Sequence, residues 1–128
     1  MAKTRNRYYN PNPLKKETSD CVIRAMCKAT GKDWDVVYRE LFEIGFKLKV
    51  MPNDDEAWKQ FLINNGFTYH KLTIKRGSKR PKVSEFAQQN RTGTFVLRVA
   101  HHLVTLEDGY YYDIFDSGSS SMYGYWSK

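Results

Sequence analysis

The hydrophobic pattern of this chain changes period near residue 67, and that change limits its fold more than any other feature. Before that point apolar residues recur at helical spacing; after it they alternate or fall in short runs between turn residues. The first helical stretch starts at Ser19 or Asp20 and runs to Thr30. Ser19 serves as its N-cap, and Gly31 stands where a left-handed C-cap glycine belongs. A second helix is expected over 34–48 behind Asp33. Trp34, Val37, Tyr38, Leu41, Phe42 and Ile44 trace an apolar stripe along it, read as core. A third begins after Pro52 and Asn53, carries Trp58, Phe61 and Leu62, and stops at Asn65 and Gly66. Residues 67–74 then alternate as a strand, and Ser84 caps a short helix to about Gln89. Strands follow over 94–99 and 103–106, the Asp108-Gly109 pair marks a hairpin, and 110–115 returns. A last edge strand is expected over 122–126. Helices first and an antiparallel sheet last make an α+β arrangement. Residues 1–18, which hold Pro11 and Pro13, read as an extended arm on a single domain spanning 1–128.

Charge and cysteine usage narrow the function classes. Twenty-one basic residues against 14 acidic ones give a net charge of +7. Part of the excess is local: Lys71, Lys75, Arg76, Lys79, Arg80 and Lys82 share a short stretch without an acid. Such a patch draws in nucleic acid, an acidic protein or an anionic substrate, or it is a solvated loop that keeps the chain in solution. No run approaches the ~18–20 apolar residues of a membrane span. The basic start, Met1 to Arg7, leads into Tyr8, Tyr9 and Asn10 rather than an apolar signal core, so the expected location is the cytoplasm. Cys21 and Cys27 on one helix lie about 9 Å apart along its axis, too far for a mutual disulfide. Two unpaired thiols suit a reducing compartment. The spacing is not that of a zinc pair, and no phosphate-binding glycine loop is present, so neither a metal nor a cofactor is expected.

Three residues stand out for chemistry. Cys21 opens the first helix, where backbone N–H groups lack intrahelical partners and the helix dipole is positive. A thiolate is stabilised there, and the same amides can hold an oxyanion. The adjacent Asp20 opposes that charge, so a cation must face the sulfur. His101 and His102 begin a strand, and Asp116 ends the next one in the hairpin. An imidazole from His102 would take the thiol proton, and Asp116 would orient the ring through its other nitrogen. His101 is the alternative base and Asp113 the alternative acid. The bland reading of each is a buried inert thiol, a hydrogen-bonded histidine and an ordinary Asp-Ser-Gly turn. Cys27 and His70 read as structural or surface residues.

The segments Asn10-Pro-Asn-Pro13, Asp20-Cys-Val-Ile-Arg-Ala25 and Lys32-Asp-Trp34 resemble motifs of small proteins encoded by bacteriophages and mobile elements. His102-Leu-Val, Asp108-Gly-Tyr-Tyr-Tyr-Asp113 and Asp116-Ser-Gly118 extend the likeness over nearly the whole chain. Those proteins are similar in turn to papain-like cysteine peptidases, including domains that process bacteriocin leaders. The resemblance implies a papain-like fold, N-terminal helices on a C-terminal antiparallel sheet. It also implies Cys21 as nucleophile, His102 as general base and Asp116 as orienting acid. Papain-like enzymes usually carry an oxyanion-hole glutamine about six positions before the cysteine. Lys15 stands there, leaving Asn12 or Thr18 as substitutes.

Three functions therefore stand side by side. The first is a thiol hydrolase, foremost a peptidase acting on a peptide or protein through an acyl-enzyme. The second is a catalytically degenerate module that binds and blocks a host protein. The third, less favoured, is a nucleic-acid binder using Lys75, Arg76, Lys79, Arg80 and Lys82 with exposed tyrosines such as Tyr8 and Tyr9.

Overall fold

A computed structural model describes residues 4–128; Met1, Ala2 and Lys3, read above as the start of the basic arm, lie outside the described residues. Four helices and one six-stranded mixed sheet make the fold, so the α+β expectation holds at that level. The chain order is β1 (Asn6–Tyr8), α1 (Cys21–Thr30), α2 (Trp34–Leu48), α3 (Asp55–Asn64), β2 (Thr68–Lys71) and α4 (Val83–Gln89). Then come β3 (Thr94–Val99), β4 (His102–Glu107), β5 (Tyr110–Asp113) and β6 (Met122–Ser127). Across the sheet the strands run β1-β5-β4-β3-β6-β2.

Local chemistry explains most boundaries. Gly31 ends α1 in the left-handed region at φ 76°, and its amide closes onto the Cys27 carbonyl. Asp108 and Gly109 both take positive φ, 51° and 85°, as the two-residue turn between β4 and β5 requires. At Gly45 a side chain is excluded outright, because a Cβ would lie 2.7 Å from the Val50 carbonyl oxygen as the chain folds back under α2. Other expectations need correction. The cap of α1 falls at Asp20 rather than Ser19, and α4 begins at Val83, with Ser84 inside it. The arm is not merely extended: β1 pairs in parallel with β5, which makes the sheet mixed. The last strand is no edge. β6 lies between β3 and β2, antiparallel to both.

The sheet separates two apolar layers. On one face, Val96, Leu103 and Trp126 pack against Val22, Met26, Val37, Leu41, Trp58, Phe61 and Leu62 from the first three helices. On the other, Leu97, Val99, Val104, Leu106, Tyr111 and Met122 meet Val83 and Ala87 of α4. Each fully buried aliphatic or aromatic side chain of this kind contributes roughly 1.5–3 kcal/mol. The stripe on α2 is only partly core: Val37 and Leu41 are buried, whereas Tyr38 and Phe42 face solvent. A buried hydroxyl fixes the position of α1 along the sheet. Thr105 Oγ1 of β4 donates to the Ala25 carbonyl at 2.7 Å. With that point pinned mid-helix, the first turn of α1 is directed at the start of β4. No helix among the described residues is long and apolar enough to cross a membrane.

Candidate active site

The first turn of α1 and the ends of two hairpin strands meet where β4 begins. Cys21, half-buried, is the first residue of α1, and His102 is the first residue of β4. The imidazole of His102 and the backbone N–H of Leu103 stand beside the Cys21 thiol, close enough to favour its charged form. On its other side, His102 Nε2 lies 2.6 Å from Asp113 Oδ2. Because Nε2 is engaged by the carboxylate, Nδ1 is the ring nitrogen left for the thiol. Asp113, the last residue of β5, is fully buried.

These contacts set the protonation states. Burial alone would raise the Cys21 pKa, but His102, the Leu103 amide and the nearby Arg24 together outweigh it and leave the thiol below its ordinary 9. Burial likewise works against an imidazolium, yet Asp113 and the thiolate raise His102 from 6.5 to about 9. Both shifts act towards a thiolate–imidazolium pair. Cys27 is the internal contrast. Buried without a histidine beside it, its thiol is pushed up to about 12, first by burial and then by Asp20 and Asp33.

Asp20, which should oppose a thiolate, is occupied elsewhere. Its Oδ1 accepts from Arg24 Nη2 at 2.9 Å and its Oδ2 from Trp34 Nε1 at 2.9 Å. Arg24 Nη1 also donates to Asp113 Oδ1 at 2.9 Å. One buried guanidinium therefore joins the residue before the nucleophile to the residue behind the base. With its carboxylate engaged sideways, Asp20 makes no side-chain cap on α1. The first-turn amides stay available for an anion beside the sulfur.

The expected acid requires correction. β5 stops at Asp113, and Asp116 lies beyond it, past a bend. Asp116 Oδ1 accepts from Tyr111 Oη at 3.0 Å and from the Gly118 amide at 2.9 Å, and its Oδ2 accepts from Thr4 Oγ1 at 2.8 Å. The Gly118 amide leads in holding its pKa below the usual carboxylate range. Asp116 organises a turn, and Asp113 takes the place beside His102. His101 is exposed at φ 54° in the turn before β4 and lines the cleft, while the imidazole that acts on the thiol is that of His102. His70 is exposed, its Nε2 2.8 Å from Ser127 Oγ.

A cleft of about 630 Å³ opens over the pair, lined by Cys21, Val22, Asn53, Trp58, Arg98 and Tyr123 among others. Neither expected oxyanion substitute lines it. Asn12 lies between Pro11 and Pro13, which border a larger depression at the other end of α1, and its Oδ1 accepts the Leu14 amide. Thr18 borders an apolar pocket of about 330 Å³ with Ile23, Trp34, Tyr38, Leu41 and Met51. Asn53 lines both that pocket and the cleft, so the two adjoin. Arg24, Leu103 and Asn53 are the site residues that sequence reasoning missed. For Arg24 a signal existed, the i,i+4 spacing from Asp20 in the first turn of a helix. Comparison of the chain with protein-family models, curated proteins and solved structures finds no match.

Proposed function

We propose that this protein is a papain-like thiol hydrolase, foremost a peptidase, of the kind encoded by phages and mobile elements and working in the bacterial cytoplasm. The observation that carries the reading is the ordered placement of thiol, imidazole and carboxylate: His102 beside Cys21, with His102 Nε2 at 2.6 Å from Asp113. In the reaction the Cys21 thiolate adds to a peptide carbonyl carbon. The resulting oxyanion is received by the free amides of the first turn of α1. His102 then gives its Nδ1 proton to the leaving amine as the C–N bond breaks, which leaves a thioester on Cys21. Water loses a proton to the now neutral His102 and attacks the thioester, releasing the acid and restoring the pair. Asp113 holds the ring in plane and favours its charged form, while Arg24 and Asp20 hold Asp113. The papain-like assignment is supported by the placement of the cysteine at a helix start and of the base and acid on neighbouring sheet strands.

A pool of internally quenched peptides of mixed sequence tests this directly. Cleavage by the wild-type chain, abolished in Cys21→Ser and in His102→Gln, is the expected result. Absence of cleavage together with equal alkylation of Cys21 and Cys27 would remove the proposal.

A second reading, a module that binds and blocks a host protein, is favoured by one observation. Tyr38, Phe42 and Phe46 form a solvent-facing line at i, i+4, i+8 on α2, with Phe46 67% exposed. The nucleic-acid reading has less support. Exposed Tyr8 is on β1 and the basic loop follows β2, and these strands are the two opposite edges of the sheet.

A further inference from the structure

The basic stretch acquires a position from the topology. It leaves β2 at Lys71 and enters α4 at Val83. The Leu72 amide donates to the Tyr123 carbonyl at 3.3 Å, and the Met122 amide donates to the Pro81 carbonyl at 2.9 Å. Both ends of the loop are thus tied to the start of β6. Met122 pairs with Val99, and Val99 pairs with His102. The loop therefore rises from the end of the sheet that carries the imidazole. Arg80 makes the connection direct: its guanidinium lies 4.6 Å over the Tyr123 ring, and Tyr123 lines the cleft above Cys21.

The charge on the loop's side of this cleft is one-sided, while the exposed acids Asp54, Asp55 and Glu56 stand across it at the start of α3. Lys71, Lys75, Arg76, Lys79 and Lys82 are exposed, and none takes part in an ion pair among the described residues. The cleft's own carboxylate, Asp55, is already engaged by Arg98 at 3.1 Å and by Trp58 Nε1 at 3.0 Å. Glu85, the next acid along the chain, accepts the Lys82 amide at 2.9 Å. A concave site with one sign of charge along one border concentrates ligands of the other sign on that border.

We infer that the loop over 72–82 is a positively charged rim of the Cys21 cleft, and that the occupant it selects is an acidic stretch of polypeptide. The inference rests on the hydrolase reading for the cleft's chemistry. A thiol nucleophile needs an acyl carbon, which a peptide offers at every residue and a nucleic acid does not. Tyr123, the aromatic residue that joins rim and cleft, has one face covered by Arg80, which halves its stacking surface for a base.

The test uses the full chain carrying Cys21→Ala, so that binding is read without turnover. The probes are a fluorescein-labelled 12-residue peptide with four glutamates, the same peptide with four glutamines, and a 12-nucleotide single-stranded DNA. The glutamate peptide is expected to bind about tenfold more tightly than the glutamine peptide at 50 mM salt, the ratio falling towards about twofold at 500 mM as screening sets in. The double change Lys75→Glu, Lys79→Glu removes the preference. The equal charge change Arg39→Glu, Lys47→Glu on α2 leaves it. In the wild-type chain, a glutamate peptide ending in a vinyl sulfone labels Cys21 about tenfold faster than its glutamine twin, which locates the preference at the cleft. Equal binding of the two peptides, or a preference that survives Lys75→Glu, Lys79→Glu, overturns the inference. So does displacement of the glutamate peptide by DNA at lower concentration than by unlabelled peptide. Loss of selective Cys21 labelling alongside an intact charge preference would instead indict the hydrolase reading and spare the rim.

Discussion

Replacing Arg24 with methionine removes the one cation that bridges Asp20 and Asp113. The guanidinium lies 2.9 Å from each carboxylate, and the three side chains are 3%, 4% and 1% exposed. Breaking a buried ion pair by deleting one partner costs about 3–5 kcal/mol, because a desolvated charge is left behind. Here two carboxylates lose the cation, but each keeps another donor, Trp34 Nε1 for Asp20 and His102 Nε2 for Asp113. Methionine replaces much of the aliphatic stem, so little is added for lost packing. The expected loss is about 4 kcal/mol, a large share of the ~5–15 kcal/mol that holds a domain folded. With a urea slope of about 2 kcal/mol per molar, the unfolding midpoint at pH 7 falls by roughly 2 M. Fluorescence of Trp34, Trp58 and Trp126 reports the transition. Arg24→Lys, which keeps the charge but not the two-pronged geometry, should fall between the wild type and the methionine variant. A loss below about 1 kcal/mol, the range of exposed ion pairs, would refute the buried-strut account.

Three further outcomes are expected. Alkylation of Cys21 by iodoacetamide should begin at a pH below 9, whereas Cys27, pushed to about 12, stays unlabelled in the native protein; mass spectrometry of tryptic peptides separates the two. Asp113→Asn should lower the Cys21 alkylation rate or peptide cleavage at pH 7 by about 100-fold, and Asp116→Asn by less than about threefold; stopped-flow labelling tells them apart, and the reverse order would restore Asp116 as the orienting acid. The pH profile of stability should depend on the thiol. His102, raised to about 9 in the fold, contributes stability fully below pH 6.5 that is lost as pH climbs through 9, while Cys21, lowered in the fold, contributes above its unfolded value of 9 and loses this as pH falls through the folded one. The two slopes oppose each other in the wild type. Cys21→Ala, which removes the opposing slope, should therefore lose stability between pH 6.5 and 9 more steeply than the wild type, as urea titration reads it.

Much of the fold is legible where backbone chemistry is local. Gly31 and the Asp108-Gly109 pair announce their conformations because few other residues tolerate positive φ, and α2 falls over 34–48 as its periodicity indicates. Cys21 and His102 are legible for the same kind of reason, a thiol at a helix start and an imidazole at a strand start. The acid is not. Strand length decides between Asp113 and Asp116, and the end of β5 is set by a bend with no strong sequence marker. β1 is hidden because three residues of parallel pairing bury too little to leave an alternating pattern, and its Arg7 and Tyr8 are exposed. β6 looks like an edge because it comes last in sequence. Its place between β3 and β2 follows from the crossover that returns the chain past α4, a long-range matter that periodicity does not encode. Tyr38 and Phe42 fit the apolar spacing of α2, but α1 and α3 cover only the face that holds Val37 and Leu41.

The sulfur and the ring it meets are far apart in the order of translation. Cys21 is made early, and the strand pair that bears His102 and Asp113 comes in the last quarter of the chain. Until β4 and β5 close against α1, the thiol lacks His102 and Leu103, the groups that do most to lower its pKa. Enhanced nucleophilicity thus arrives only with completed tertiary structure, and a nascent or misfolded copy carries two ordinary thiols. Selective Cys21 reactivity can accordingly serve as a clock for folding, started by dilution from denaturant and stopped by an alkylating pulse.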